Sequence, residues 1–338
     1  MTSKQLGIGF VACGGIANCI MGECADLEVA RPVVAFDIDK EAESKFCRKF
    51  GFESAPTFEA VIENDEVDAV ILAAPPYARQ EQIVPAARAG KAVFSEKPLA
   101  LSSAEAKRVV DACKQAGAPL MVGQVLRYIG GFARMIDVMK KGELGRPLAL
   151  ELHRYGEPFP AVYRQTWRFD KDLSGGLMFE IHVHELDLAR QLCGNPSSVF
   201  ARMRRTGIDS ELAYEDLIMG VVEFENGAIG ETHFGLAAAK GETRTVLICE
   251  GGVMSGNSEK ATIKRWSGEE VEIPQVECER EPPFRREIRL FAEAVLEGKP
   301  VPIPGEEGLW SVLMAESFER SAKLGQPVMV NGLVGGVS

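Results

Sequence analysis

A carboxylate, an imidazole and a second carboxylate recur at helical spacing near the middle of the chain. Glu180, His184 and Asp187 stand at positions i, i+4 and i+7, so a helix would carry them on one face. Oxidation of an alcohol needs a base for the hydroxyl proton, and imidazole, with an ordinary pKa of about 6.5, exchanges protons near neutral pH. We therefore predict that His184 is a catalytic base; the alternative is a structural histidine in the core.

The same helix argues against a metal site at His182 and His184. Residues two apart on a helix point in different directions, so these two imidazoles cannot bind one ion. The eight cysteines include no Cys-x-x-Cys pair, which leaves a zinc or redox site without local support. We expect no metal, and free thiols in a reducing compartment.

A lysine that could assist the same reaction follows a short apolar strand in the first half of the chain. The triplet Glu96-Lys97-Pro98 comes directly after Ala92–Ser95. An ammonium group beside a substrate hydroxyl lowers the pKa of that hydroxyl and can share in proton transfer. Taken alone, Lys97 could equally be a surface lysine that precedes a helix.

The turn after the first apolar strand could hold a dinucleotide. The usual pattern is G-x-G-x-x-G/A, and here Ala12 replaces the first glycine, Gly14 is the second, and the positions that follow are Gly15, Ile16 and Ala17. A glycine lets the backbone approach a pyrophosphate, while the helix N-terminus offers N–H groups and partial positive charge. We expect Ala12 to serve if its backbone stays outside the left-handed region. Alone, such a turn fits any α/β protein.

An acid at the end of the second strand strengthens this interpretation. Asp37 lies 23 residues after Gly14, where a carboxylate accepts hydrogen bonds from the adenosine ribose. The same carboxylate repels a 2′-phosphate, and the next residues, Ile38 and Asp39, include no arginine to hold one. We therefore predict NAD rather than NADP, with a solvated acid at a strand end as the alternative.

The elements that must position these residues divide the chain into two parts. Apolar strands alternate with helices over residues 1–123, which predicts a doubly wound (Rossmann) parallel sheet. Residues 124–338 hold longer strand-like segments joined by hairpin links such as Asn226-Gly227. They predict a C-terminal α/β domain with a large, mostly antiparallel open sheet. A helix over Met178–Leu192, ended by Gly194, would carry His184.

Composition excludes several classes of partner. The chain has 338 residues and a net charge of −11, so an acidic surface disfavours nucleic acid. No apolar run reaches the roughly 18–20 residues that span a bilayer. The stretch Leu6–Ala17 after Lys4 looks like a signal segment, but its glycines fit the dinucleotide turn better. We expect a cytoplasmic protein.

Several motifs in order resemble the Gfo/Idh/MocA (glucose-fructose oxidoreductase / inositol dehydrogenase) family of NAD(P)-dependent oxidoreductases. The strongest is Glu96-Lys97-Pro98, preceded by the strand and double proline of Asp68–Pro76. Later segments match the family's domain-crossing turn, catalytic helix and closing segment, namely Gly142–Pro147, Ser174–Asp187, Phe291–Gly298 and Ser321–Val328. The resemblance therefore covers nearly the whole chain.

The resemblance implies roles for individual residues. Lys97 and His184 would be the proton-transfer groups, and Glu180 would take the place of the family's aspartate. Cofactor contacts are implied for Ala12, Gly14, Gly15, Ile16, Asp37, Ala74, Pro75, Glu96 and Lys97. Substrate contacts are implied for Lys97, Trp167, Arg168, Glu180 and His184. Apart from the resemblance, Arg127 is a further substrate candidate, because a guanidinium suits sugar hydroxyls. The C-terminal sheet would join copies of the chain into a homodimer or homotetramer.

Two departures leave the substrate open. Glu180 reaches one methylene further than aspartate, and Arg79 stands where the family often has histidine. Arg79 could hold an acidic substrate group or the cofactor, or be a solvated helix arginine. The function predicted is hydride transfer between nicotinamide and a sugar, cyclitol or related polyol. The alternatives are an NAD-dependent glycoside hydrolase with transient redox and a non-catalytic cofactor-sensing regulator.

Overall fold

The computed structural model of the protein describes residues 5–24 and 26–330. Contacts divide the chain into two compact units. The first unit comprises the residues up to 125 together with residues 281–309, and the second comprises residues 126–280 together with those from 310 onward. The chain thus alternates between the units: residues 126–280 of the second interrupt the first, and the chain enters the second again at residue 310.

The first unit is built on a six-stranded parallel sheet, which confirms the predicted doubly wound fold. Its strands lie in the order β3-β2-β1-β4-β5-β6. Strand β1 pairs with both β2 and β4. The chain therefore adds β2 and β3 on one side of β1 and the later strands on the other side. Folds of this kind bind ligands beyond the strand ends at this switch point between β1 and β4. The strands are β1 Leu6–Val11, β2 Ala30–Phe36, β3 Glu53–Ser54, β4 Ala69–Leu72, β5 Ala92–Glu96 and β6 Leu120–Gly123.

Helices separate these strands, and local sequence sets their ends. Ser102 caps α5 by accepting a hydrogen bond from the Glu105 N–H, and Gly117 ends that helix in the left-handed conformation. Asp39 and Gly51 do the same for α2. The helices of this unit are α1 Gly15–Cys24, α2 Lys40–Phe50, α3 Phe58–Ile62, α4 Pro76–Arg88, α5 Ser103–Ala116 and α9 Pro283–Glu297.

The second unit contains a nine-stranded sheet that is antiparallel except where β7 pairs with β10, as predicted for a mostly antiparallel sheet. The strand order is β14-β13-β12-β11-β7-β10-β9-β8-β15. One face is buried and the other exposes Met219, Val221 and Ile229, so the sheet is open on one side. The strands are β7 Pro147–Tyr155, β8 Pro196–Arg204, β9 Leu217–Phe224, β10 Ile229–Gly235, β11 Glu242–Cys249, β12 Gly252–Gly256, β13 Ala261–Arg265, β14 Glu270–Glu272 and β15 Val328–Met329.

The helix predicted over Met178–Leu192 has two parts. A π-helical turn, Met178–His182, leads directly into α8, Val183–Cys193, and Gly194 ends that helix. The periodicity of apolar residues over five positions is too short to distinguish a π-helical turn from an α-helical one, so the sequence pattern missed it. The other helices of this region are α6 Gly130–Lys141, α7 Lys171–Ser174 and α10 Gly305–Leu324.

No helix among residues 5–24 and 26–330 is long and apolar enough to cross a membrane. All eight cysteines are free thiols in this structure.

Candidate active site

The turn after β1 contradicts the expectation for Ala12. Ala12 has φ 70°, inside the left-handed region that L-residues avoid, and its N–H donates to the Phe36 carbonyl at 2.8 Å. The usual G-x-G-x-x-G/A pattern has glycine at this position, and glycine adopts this conformation without strain. The chain thus makes the turn after β1 with a strained residue.

The two glycines that follow face open space. A Cβ placed on Gly14 or Gly15 would meet no heavy atom of the described chain within 4 Å, so packing within the protein does not require glycine at either position. Gly15 begins α1, whose first turn contains no acidic residue. The backbone N–H groups and the positive end of the helix are therefore accessible to an anion such as a pyrophosphate.

The carboxylate of Asp37 is held in a fixed orientation. Its Oδ2 accepts a hydrogen bond from the Cys13 N–H at 2.6 Å, and its Oδ1 accepts one from the Asp39 N–H at 2.8 Å. Each oxygen keeps a second lone pair that can accept from a ligand hydroxyl. The end of β2 thus presents a carboxylate bonded to the backbone just before Gly14, and the next residue, Ile38, is 88% exposed.

Arg79 is buried, so its interpretation as a solvated helix arginine is wrong. Only 2% of the residue is exposed. Its Nη1 donates to the Ala74 carbonyl and its Nη2 to the Pro98 carbonyl. Because these carbonyls belong to the turns after β4 and β5, the guanidinium fastens together two segments predicted to touch the cofactor.

Glu96 and Lys97 lie at the end of β5, at the same edge of the sheet as the turn after β1. Glu96 is buried, and its Oε2 accepts a hydrogen bond from the Lys97 N–H at 3.2 Å. A Cβ on Gly123 of the neighbouring strand would lie 3.2 Å from Glu96 Oε1, so glycine there leaves room for the carboxylate. The Lys97 side chain is half-buried, and the Lys97–Pro98 peptide is cis.

The second unit brings three predicted substrate residues together. Arg168 Nε donates to Glu180 Oε1 at 2.7 Å, and its guanidinium lies over the rings of Trp167 and Tyr163 at 4.3 and 4.8 Å from their centroids. The buried Tyr214 hydroxyl donates to the Arg168 carbonyl at 2.6 Å. Glu180 is therefore oriented by a guanidinium that two aromatic rings hold in place.

Arg127, another predicted substrate residue, is paired with Asp187. Its Nε and Nη2 donate to the two carboxylate oxygens at 2.7 and 2.5 Å. The two side chains are 10% and 2% exposed, so this is a buried bidentate ion pair. Asp187 was predicted to share a helix face with His184, but its arginine partner, 60 residues earlier in the chain, was not foreseen.

A third buried network involves residues that sequence reasoning did not select. Arg154 Nη1 donates to Glu185 Oε1 at 2.6 Å, and His182 Nδ1 lies 3.4 Å from Glu185 Oε2. The His182 ring stacks on Phe234, with centroids 4.4 Å apart and planes within 9° of parallel. Burial by itself raises the pKa of the Glu185 carboxyl, but the charge of Arg154 and the bond to His182 outweigh burial and lower the pKa to about 2.

Among the described residues, one cluster contains three side chains that could bind a metal ion, whereas the sequence predicted no metal site. Glu151, His153 and Glu231 lie on the open face of the nine-stranded sheet, with their ligand atoms within 4.8 Å of one another. His153 Nε2 is 2.6 Å from Glu231 Oε1, and Arg244 Nη2 donates to Glu151 at 2.9 Å. These contacts describe an ion-pair network on a partly exposed surface.

Comparison with known proteins extends these observations. Residues 6–124 match an oxidoreductase family with an NAD-binding Rossmann fold, and residues 132–255 match the GFO/IDH/MocA C-terminal domain. A 1,5-anhydro-D-fructose reductase of Ensifer adhaerens is 30% identical over 288 residues, covering 81% of this chain and 83% of that protein. A myo-inositol 2-dehydrogenase of Thermotoga maritima is 23% identical over 340 residues, covering 97% of this chain and 99% of that protein.

Solved structures show the same fold. A levoglucosan dehydrogenase in complex with NADH superimposes with a TM-score of 0.88 at 21% sequence identity. The match covers 97% of this chain and 99% of that chain. At this identity the likeness concerns the fold alone.

Proposed function

This chain belongs to the GFO/IDH/MocA family of oxidoreductases, and we propose that it transfers hydride between nicotinamide and a hydroxyl or carbonyl carbon of a sugar, cyclitol or related polyol. The observation that carries the proposal is the turn after β1, where Gly14 and Gly15 face open space beside the oriented carboxylate of Asp37. The substrate class is supported by the names of the relatives, which include a sugar reductase and a cyclitol dehydrogenase.

The residues present fit a dinucleotide, and we infer that it is NAD. The N–H groups of Gly14, Gly15 and Ile16 would hold the pyrophosphate, and Asp37 would accept the ribose hydroxyls. Ala12, Ala74, Pro75, Glu96 and Lys97 would contact the cofactor along the same sheet edge. The bound nicotinamide supplies the hydride acceptor or donor. The Asp37 carboxylate opposes a 2′-phosphate, and the two residues that follow it, Ile38 and Asp39, provide no arginine to hold one.

The proton chemistry falls to the chain's own side chains. In the oxidation direction His184 would take the hydroxyl proton, with Lys97 stabilising the developing alkoxide. Glu180, oriented by Arg168, would accept a hydrogen bond from a substrate hydroxyl, and Trp167 would offer an apolar face to the polyol. Arg127, which is paired with Asp187, would act indirectly by fixing the position of that carboxylate.

A polyol panel tests the proposal. We expect NAD reduction with at least one sugar or cyclitol, and its loss in Lys97→Met and His184→Gln while NAD still binds. Lys264→Met, at an exposed strand away from the proposed site, is the matched control that should keep full activity. Full activity in both site variants would refute the roles of Lys97 and His184. Release of a sugar without net formation of NADH would identify the chain as a glycoside hydrolase instead. Binding of NAD without turnover of any substrate would identify it as a cofactor-sensing regulator.

We also propose that copies of the chain associate through the open face of the nine-stranded sheet, as a homodimer or homotetramer. Met219, Val221 and Ile229 expose 43–53% of their surface there, which is an unusual group of apolar side chains for a solvated face. Introducing a charge with Val221→Glu should lower the mass measured by light scattering to that of one chain. A cytoplasmic location stays a proposal, supported by the eight free cysteines.

A further inference from the structure

Four side chains of types that bind metal ions form a square on the open face of the nine-stranded sheet. Strands β7 and β10 run parallel, and their register places Glu151 opposite Glu231 and His153 opposite His233. Residues two apart on a strand point to the same face, so all four project from one side of the sheet. Arg154, the next residue of β7, points to the other side, where it contacts α8.

Three of these side chains already bring their ligand atoms together. The ligand atoms of Glu151, His153 and Glu231 all lie within 4.8 Å of one another, and His153 Nε2 is 2.6 Å from Glu231 Oε1. Around a tetrahedral zinc ion with bonds of about 2.0–2.2 Å, the ligand atoms are about 3.3–3.6 Å apart. Small side-chain rotations from the observed separations would therefore enclose an ion.

The two carboxylates of the square face each other, which is unfavourable unless a cation lies between them. Glu151 and Glu231 are directly paired across β7 and β10, and like charges in that position destabilise a sheet. Arg244 Nη2 donates to Glu151 Oε2 at 2.9 Å, which orients this carboxylate and leaves its other oxygen for a ligand. Among the described residues, Glu231 has no arginine or lysine partner. A divalent cation bound to both carboxylates would remove the repulsion.

The imidazole of this cluster is held in place before any ion binds. The His153 side chain is 16% exposed, and its ring packs edge-on against the ring of His233, with centroids 5.8 Å apart. His233 in turn lies against Tyr155, whose hydroxyl donates to Glu242 at 2.9 Å. A side chain that packing has already ordered loses little rotamer entropy when it binds an ion.

We propose that Glu151, His153 and Glu231 form a zinc site on the open face of the sheet. One imidazole and two carboxylates are ligands that zinc accepts, whereas magnesium and calcium prefer oxygen ligands alone. A water molecule would complete a tetrahedral shell of four. The ion would join the two parallel strands of the sheet and stabilise the fold. It would take no part in the proposed reaction, because it lies on the face of β7 away from α8.

Zinc titration of the metal-free chain, produced without a histidine tag, tests the proposal. We expect calorimetry to show one zinc ion per chain, and zinc to raise the urea midpoint because it binds the folded state. Loss of a group that only orients a metal ligand costs about 10–100-fold in affinity, so His153→Gln and Glu231→Gln should each cost at least about a hundredfold. This face is also the one proposed to join copies, so light scattering accompanies the titration; one ion per chain is expected in either state.

The other histidines and acids of the chain provide matched controls. His184→Gln removes the histidine of the proposed reaction, and Glu242→Gln removes an acid of the same sheet face. Both variants should keep the wild-type zinc affinity. Absence of saturable binding, loss of binding in His184→Gln, or an affinity no lower in His153→Gln and Glu231→Gln than in Glu242→Gln would each overturn the proposal. If His153→Gln fails to fold, Glu231→Gln decides alone, since that side chain is 55% exposed.

Chelation separates this site from the proposed reaction. Removing zinc with EDTA should lower the urea midpoint and leave kcat and KM for the polyol unchanged. If chelation abolishes hydride transfer in a chain that stays folded, zinc takes part in the reaction and the structural assignment is wrong. A chain that turns over no polyol, yet binds zinc with the expected pattern among the variants, would retain this site and lose only the proposed function.

Discussion

Ala12→Gly should stabilise the protein, although replacing alanine by glycine usually destabilises one. Ala12 has φ 70°, and an L-residue held in the left-handed region costs about 1–2 kcal/mol. Glycine removes that cost but adds flexibility to the unfolded chain, which offsets about 0.4–1 kcal/mol. The difference predicts a net gain of about 0.5–1 kcal/mol in the free energy of unfolding.

Urea denaturation without cofactor measures this gain, because bound NAD would add its own stabilisation. The matched control is Ala112→Gly in the middle of α5, which deletes the same methyl group from right-handed backbone and should cost about 1 kcal/mol. Opposite signs for the two variants would show that backbone conformation decides the effect. If Ala12→Gly lowers the denaturation midpoint as Ala112→Gly does, the strain at Ala12 is not real.

Three further predictions concern the cofactor site and the buried charges. Asp37→Ser should weaken NAD binding by about ten- to a hundredfold, because charge-assisted hydrogen bonds contribute about 1.5–3 kcal/mol. The ratio of the dissociation constants for NADP and NAD should fall, because the repulsion of the 2′-phosphate is removed. An unchanged ratio would contradict the role of Asp37. Arg79→Met should cost about 2–4 kcal/mol in urea unfolding by leaving the Ala74 and Pro98 carbonyls without their donor, with partial recovery in Arg79→Lys. Glu185 has a folded pKa of about 2 against an ordinary 4.5, so it contributes about 3 kcal/mol that is fully present above pH 4.5 and is lost as pH falls toward 2. In Glu185→Gln, the free energy of unfolding should depend less steeply on pH between 4.5 and 2. An identical pH dependence in the variant and the wild type would contradict the lowered pKa of Glu185.

Local chemistry made most of the first unit predictable. Helix α5 occupies Ser103–Ala116 because Ser102 caps its start and Gly117 can adopt the left-handed conformation that ends it, both of which are visible in the sequence. Continuously apolar strands likewise indicated a sheet covered on both faces, and β1 is buried along its whole length. These features depend on residues that are neighbours in the chain, so a pattern in the sequence contains them.

The missed features depend on residues far apart in the chain. Arg154 binds Glu185 and Arg127 binds Asp187 across 31 and 60 positions, and no periodicity relates the partners. The burial of Arg79 follows from two turns that meet only in the folded sheet. The sequence of strand β12 does not indicate a strand, because Gly252 and Gly256 interrupt the β-like pattern, and its pairing with β11 compensates.

For the proposed substrate residues, the sequence offered residue types and the structure adds their contacts. Glu180, Trp167 and Arg168 were selected as substrate residues, and the structure brings them into contact. Their arrangement, with the Arg168 guanidinium over the rings of both Trp167 and Tyr163, includes Tyr163 from a segment without a recognisable pattern. Arg127 was selected because a guanidinium suits sugar hydroxyls, but in the structure its guanidinium forms an ion pair with Asp187 of α8.

The late return of the chain to the first unit affects how that unit can form during synthesis. Helix α9 packs on α1, where the Phe284 N–H donates to Glu23 and Arg285 pairs with Asp26, and Phe291 meets Phe94 of the sheet. A ribosome must therefore make almost the whole second unit before α9 emerges to cover this surface. Until then the nascent parallel sheet leaves apolar side chains exposed, which makes the stalled N-terminal half a substrate for chaperones and a source of aggregation.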